Sequence, residues 1–541
     1  MMIMLFEKLD YWFANALDDV FFDTVPLHDR VINGNLTLVK NEREAIQLVF
    51  RTNEPVIEEF MVSAEAFQGE NAPSITCNPV GMVFANKNTP DIGQKVKRCT
   101  LPGLLPEYLA RNEPMKLSGE LTKSYFITIE TSGETMPGIY RTNIVVTAED
   151  DNRLEIPMTV RVADVTIPNP EDSETDYVCW INLAGLNGDI PKDLFAAMNH
   201  EVFGIENYSE EFWQLGQNYA KALYAQRQNC VNVPVYALIG DTIQIDENGK
   251  YIIDWTNFDR YCKIFIEFGH MRHLTGMHLF YRDFIFTKKS EIDWITVPLI
   301  GWYWEKKSDG KIDLGYDFGE SPKVMNHLKQ FLPMLNQHLE ETGLKSYWLQ
   351  HVADETTSLV QQEVALQGYR LVKQYLPGVR TIDAGNAEYL DCFKDYLDIH
   401  TIQLESYHKS ADQYTKALQQ NPNLSVYTYT CINPRQDHLS RLGDYKLICT
   451  RLIFYYNFKH NVNGYLHWAW NLWSEGTIPN KPFENGGWGP ALQVPTDAWM
   501  VYPDAENLSV LESSRSYAIR DGLEDWEILK IAHCKNPQAV D

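Results

Sequence analysis

A mixed α/β fold, with a (β/α)8 TIM-like barrel preceded by an N-terminal β-sandwich domain, is what this sequence predicts, and three observations predict it. Short alternating apolar runs punctuated by turn signals fill the first 170 residues. An acidic, proline-bearing stretch, IPNPEDSETD, follows as a linker. Beyond it the texture changes to short apolar runs separated by amphipathic ones, the pattern of βα units around a parallel sheet. The length of 541 residues exceeds what one core usually serves. The division expected is therefore a sandwich over 1–170 and a barrel over 171–541.

The sandwich is read from period-two patterning. Leu154, Ile156, Met158, Val160 and Val162 alternate along one face, and Asp150-Asp151-Asn152 supplies the turn before them. Pro157 marks a sheet edge or a strand start, because proline cannot donate to a ladder. The stretches LPGLLPEYL and GETMPG read as loops.

The barrel is read from eight strand candidates, near 177–182, 230–236, 274–280, 346–350, 379–383, 397–403, 424–429 and 464–469. Helices are expected between them. One begins after Ser209, a capping serine followed by Glu210 and Glu211, and sets Phe212, Leu215, Tyr219 and Leu223 on one face. Others are expected over 256–269, 322–341, 357–376, 409–420 and 445–460, with a last one through GLEDWEILKIAH read as an outer, surface helix. No glycine-rich phosphate loop follows the first strand, which weakens a doubly wound open sheet as the alternative.

Composition narrows the function. A formal net charge of -26 leaves no excess cation to neutralise nucleic-acid phosphates or to meet an anionic membrane. No run approaches the roughly 20 apolar residues of a membrane helix. The start, MMIMLFEKLDYWF, lacks a basic region and a cleavage site, and the nine cysteines include no CxxC. A cytoplasmic protein without disulfides, cofactor or metal is the expectation, since His400, His408 and His438 fall in different elements without ligand spacing. The 12% aromatic content suits pockets lined with ring faces, where sugars stack, and equally suits a large core.

A barrel keeps its chemistry at the C-terminal ends of its strands. There the chain offers Asp354-Glu355 after strand four, with His351 just before them as a carboxylate partner, a hydroxyl contact or a core histidine. Strand three leads to Tyr281, Arg282 and Asp283, strand six to Tyr407 and His408, and strand seven ends at Tyr429. Strand eight leads to Trp470, Asn471 and Trp473 in HWAWNLW. Adjacent carboxylates suit glycosidic bond cleavage, one as proton donor and the other as anion. They also suit the substrate-assisted exception, in which an acetamido oxygen on the sugar replaces the protein nucleophile. The alternatives kept open are a non-catalytic carbohydrate-binding protein and a glycosidase for another sugar.

The order of β-sandwich, strand-DE-helix, GYLHWAWNLW and VYPDAENLSVLESSRSYAIRDGLEDWEILK resembles glycoside hydrolase family 123 and its wider group of barrel proteins. RDGLEDWEIL is similar to the R-x-G-x-E-D-x-E-x-L ending of that family. The resemblance implies a retaining β-N-acetylgalactosaminidase assisted by the substrate's acetamido group. In such an enzyme Asp354 would orient the acetamido nitrogen and Glu355 would serve as general acid and then base. His351, Tyr281, Arg282, Tyr407, Tyr429, Trp470 and Trp473 are the expected substrate contacts, and a glycan is the expected partner.

Overall fold

The computed structural model describes residues 9–26, 32–52, 56–148, 152–184, 192–282, 297–475, 478–479, 482–483 and 494–540. Ten strands open the chain: β1 (Leu9–Asn15), β2 (Asn35–Lys40), β3 (Arg43–Thr52), β4 (Val56–Ala64), β5 (Ser74–Ala85), β6 (Gly103–Leu109), β7 (Met115–Ser118), β8 (Thr122–Glu130), β9 (Gly138–Ala148) and β10 (Asn152–Thr166). They form two five-stranded sheets, ordered β1-β3-β8-β5-β6 and β2-β10-β9-β4-β7. Alternate residues of both sheets meet in one apolar core, with Leu48, Phe50, Ile127 and Ile129 from the first and Ile144, Val146, Met158 and Val160 from the second. The predicted face of β10 is thus a buried face.

Pro157 pairs with Asn143 of β9, while the ladder to β2 begins only at Thr159. Locally it sits on an edge, where its missing N–H costs no bond. The predicted turn at 150–152 begins outside the described residues. LPGLLPEYL is not a loop: residues 103–109 form β6. That strand lies at the edge of its sheet, which tolerates Pro106.

Eight parallel strands close into a barrel: Asp176–Cys179, Cys230–Val233, His273–Gly276, Trp348–Gln350, Arg380–Ala384, Ile399–Gln403, Ser425–Tyr429 and Gly464–His467, numbered one to eight below. Each matches a predicted run to within three residues at its ends, except that strand three stops at Gly276, four residues before 280. Helices run between them as the periodicity predicts. Ser209 accepts from Phe212 N and starts the helix Glu210–Ala225, which buries Phe212, Leu215, Tyr219 and Leu223. Burying such a side chain is worth about 1.5–3 kcal/mol, and the cap about 1 kcal/mol. Between strands three and four the chain adds an antiparallel sheet of Phe280–Arg282, Leu299–Lys306 and Ile312–Phe318.

The last helix, Ser514–Lys535, differs from its expected place on the surface. Its residues from Ser514 to Glu524 are buried. Arg515 binds Glu107 of β6 on one side and donates to Trp499 O at 2.8 Å on the other. Tyr517 shares a 2.9 Å hydroxyl contact with Thr128 of β8, and Arg451, on the helix before strand eight, reaches Asp521 at 3.2 Å. Charged residues make the stretch look solvent-facing, yet Arg515, Asp521 and Glu524 find partners in Glu107, Arg451 and Arg520, because the helix lies between the β-rich region and the barrel.

Candidate active site

The exit of barrel strand four is fixed from three directions. Leu279 N and Phe280 N donate to Val352 O at 3.0 and 2.9 Å, and Phe280 bridges Ala353. Asp383, at the end of strand five, accepts from Val352 N at 2.9 Å and from Ala353 N at 3.2 Å, and takes a hydrogen bond from the Tyr369 hydroxyl. Glu355 N donates to Ala384 O at 3.1 Å. Thus held, Glu355 adopts a left-handed backbone with φ of 42°. A non-glycine residue there is strained by the order of 1–2 kcal/mol, and such strain collects at functional sites.

The Glu355 side chain is 34% exposed and its two oxygens have different partners. Arg282 Nη2, which also donates to Glu355 O, reaches Oε2 at 3.0 Å, and the Tyr429 hydroxyl donates to Oε1. Burial, and then the Glu355 charge, push the Tyr429 phenol well above its usual range, so it stays a donor. Asp354 is half-buried beside it. Strands three, four and seven therefore converge on one carboxyl group, as the placement of Arg282 and Tyr429 at strand exits anticipates.

Other predicted residues fall elsewhere. Tyr281 is buried, edge-on to His278 at 5.9 Å. His351 is buried with His278 and Asp383, beneath the pair rather than open to it. Tyr407 is turned outward by the short helix Leu404–Lys409 and packs on Tyr414 at 5.1 Å. Trp470 and Trp473 have no exposed surface. Trp470 donates to Gln226 Oε1 at 2.9 Å and stands edge-on to Tyr219, while Trp473 donates to Val501 O at 2.9 Å. Tyr219 and Gln226 belong to the outer helix layer, so these indoles fill the space between strands and helices and offer a sugar no face. Asp283 lies outside the described residues.

Of the strand-eight indoles it is Trp468 that faces inward, half-buried and packed with Tyr429 against the cluster inside the barrel, of which Trp180 is a member. Its Nε1 donates at 3.0 Å to Asp497 Oδ2, and His467 Nε2 lies 3.1 Å from the other oxygen. Arg441 braces this corner, bonded to His467 and to Ala469 O and Asp497 O at 2.7 and 2.9 Å. Burial, then the Arg441 charge, drop the His467 imidazole to about 3, so it is neutral. Cys431 stands among Asp497, Glu355 and Asp354, and its thiol is held up by burial and then by those charges. Sequence reading missed Trp468, Asp497 and Asp383. The first lay in the quoted cluster HWAWNLW, but the other two act through distant partners that no local pattern announces.

Two carboxyl groups at a strand exit, one clasped by a guanidinium and a phenol and open to solvent, are equipped to move a proton at a substrate oxygen. Among the described residues no helix is long and apolar enough to cross a membrane. Residues 196–532 match the model of the family described as Glycoside hydrolase 123, catalytic domain. No curated protein matches the chain. A solved family 123 glycoside hydrolase from Clostridium perfringens, studied for glycolipid glycan hydrolysis, is 17% identical. It superposes with a TM-score of 0.75 over 98% of this chain and 90% of its own, which is a likeness of fold. A family 39 enzyme from Xanthomonas axonopodis pv. citri is 12% identical, with a TM-score of 0.38 over 64% of this chain and 65% of its own, too distant to argue from. With a family match spanning well over half of its length, around a barrel that presents Asp354 and Glu355, the chain belongs to glycoside hydrolase family 123 and is a glycoside hydrolase.

Proposed function

We propose that the enzyme is a retaining exo-glycosidase that removes a terminal β-linked N-acetylhexosamine, GalNAc foremost, with the sugar's 2-acetamido group as nucleophile. The observation that carries this reading is the state of the acids beside the pair. Asp383 and Asp497 are fully buried and occupied by hydrogen bonds. Neither presents an oxygen to a sugar as a protein nucleophile would, whereas Asp354 and Glu355 are partly open. A retaining enzyme whose described residues present no carboxylate across the site from this adjacent pair is the case that substrate assistance resolves.

In this mechanism Glu355 enters as the carboxylic acid and gives its proton to the glycosidic oxygen as the C1–O bond breaks. The acetamido carbonyl oxygen closes on C1 from the opposite face, forming a cyclic oxazolinium whose N–H is held by Asp354. Glu355, now a carboxylate, takes a proton from water as the water oxygen attacks C1 and reopens the ring. Arg282 and Tyr429 hold the Glu355 carboxyl in place through both steps, and the Trp468 ring supplies a face for the sugar's C–H surface. The barrel acts as a (β/α)8 scaffold, and a glycan ending in GalNAc, including one on a glycolipid, is the substrate class.

The test is Glu355→Gln on aryl β-N-acetylgalactosaminides. Poor leaving groups need protonation and should lose about 10²–10⁴ in rate, whereas good ones should lose far less. Equal losses on both would remove Glu355 from the acid role.

A further inference from the structure

Beneath the pair, the exits of strands three, four and five bring His278, His351 and Asp383 together, each 1% exposed. His351 Nδ1 lies 3.4 Å from Asp383 Oδ1 and His278 Nε2 lies 3.9 Å from the same oxygen. One donor atom from each residue is within 4.8 Å of the other two. The imidazole rings lie with centroids 4.4 Å apart and planes tilted by 44°. None of their four ring nitrogens makes a well-directed hydrogen bond within the protein, the 3.4 Å approach of His351 Nδ1 to Asp383 Oδ1 being an ion-pair distance only. A buried polar atom left in that state costs on the order of 1–3 kcal/mol, and this cluster holds four.

A sugar hydroxyl, a buried water or a metal ion would satisfy such nitrogens. A sugar hydroxyl is excluded by access, because all four atoms are buried. A buried water would also serve them, and it predicts no uptake of metal. A neutral imidazole is, however, the form that ligates metals. Tetrahedral coordination at bonds of about 2.0–2.1 Å sets neighbouring ligand atoms roughly 3.4 Å apart, close to the separations found. Asp383 supplies the anion, and its carboxylate is oriented by Val352 N, Ala353 N and the Tyr369 hydroxyl, the kind of outer support that metal ligands require.

We propose that His278, His351 and Asp383 form a binding site for a divalent cation of the zinc class, set in the barrel below the catalytic pair. The ion ties together three strand exits, including the one that carries Asp354 and Glu355. The site is independent of which sugar the enzyme takes. No spacing motif announces it, since each ligand comes from a different strand.

The experiment is a titration of the chelator-stripped full chain with Zn²⁺ by calorimetry, and with Co²⁺ by visible absorption. One tight equivalent is expected, with a Co²⁺ spectrum of nitrogen and oxygen ligation and a higher Tm at saturation. His278→Gln and Asp383→Asn should each weaken binding by about 100-fold or more, beyond what loss of an outer partner does. If a variant does not fold, X-ray absorption on the zinc-loaded unmutated chain decides, with two imidazoles expected in the shell. A stripped chain that takes up no tight equivalent would overturn the proposal. So would a tight equivalent that survives in folded His278→Gln, or a shell without imidazole.

Discussion

Trp470→Ala separates a packing indole from a sugar platform. The ring has no exposed surface, and truncating a buried tryptophan costs about 3–5 kcal/mol. Its lost N–H also leaves Gln226 Oε1 without the donor it has at 2.9 Å, which adds on the order of 1 kcal/mol. Unfolding entropy of about 2.1 cal/mol/K per residue over a barrel of roughly 370 residues is near 0.8 kcal/mol/K, so Tm should fall by about 5–8 °C. The assay is thermal unfolding and kcat/KM on the same preparation, scaled to the folded fraction. Trp470→Ala should melt early with unchanged kcat/KM. Trp468→Ala, which removes the half-exposed ring, should lower kcat/KM by about tenfold, or roughly 1.4 kcal/mol of transition-state contact. A Trp470→Ala enzyme that melts like the parent but loses kcat/KM would refute the assignment of these two rings.

Asp354→Asn should lower kcat by about 10²-fold or more, because the acetamido N–H loses its anionic partner in the transition state; an unchanged kcat would count against that role. Arg282→Met removes a charge-assisted bond to Glu355 worth about 1.5–3 kcal/mol, so kcat/KM should fall roughly 10–100-fold, and parent-like kinetics would show that the clasp is idle. At the junction of β3 with the last helix, burial, then the Glu524 charge, raise Glu42 to about 8. Burial also raises Glu44 to about 7, with Arg451 opposing and Glu524 and Asp525 adding to it. Raised carboxyl values mean that the folded state holds these protons more tightly. Their contribution is therefore complete below about pH 4.5 and lost as pH rises through 7 and 8. Glu44→Gln should accordingly raise Tm at pH 8 relative to the parent and change it little at pH 4.5, and an equal change at both would refute the linkage.

Eight barrel strands and most helices were legible because their signal is local: a short apolar run, or an amphipathic stripe beginning at a cap such as Ser209. The place of residues 354–355 just past a strand was legible for the same reason, and so were the strand-exit positions of Arg282 and Tyr429. The error at Trp470 and Trp473 came from extending strand eight. The strand ends at His467, and beyond it the chain leaves period two, with Asn471 bridging Trp499, so spacing no longer tells which side an indole faces. Tyr407 failed likewise, because a single helical turn after strand six redirects it. Asp383 was invisible as a support for strand four, since its partners lie some thirty residues away and are backbone amides of no particular sequence. The last helix looked exterior because its charges, read singly, suit water; only the β-rich region and the barrel together supply their partners.

The most direct measurement of the central claim is kcat/KM for aryl β-N-acetylgalactosaminides whose acetamido methyl carries zero, one, two or three fluorines. Fluorine withdraws charge from the carbonyl oxygen while leaving the leaving group unchanged. If that oxygen is the nucleophile, kcat/KM falls steeply with each fluorine, and Asp354→Asn lowers the whole series. A flat series, together with a glycosyl adduct found on an enzyme carboxylate by mass spectrometry, would contradict substrate assistance and assign the nucleophile to the protein.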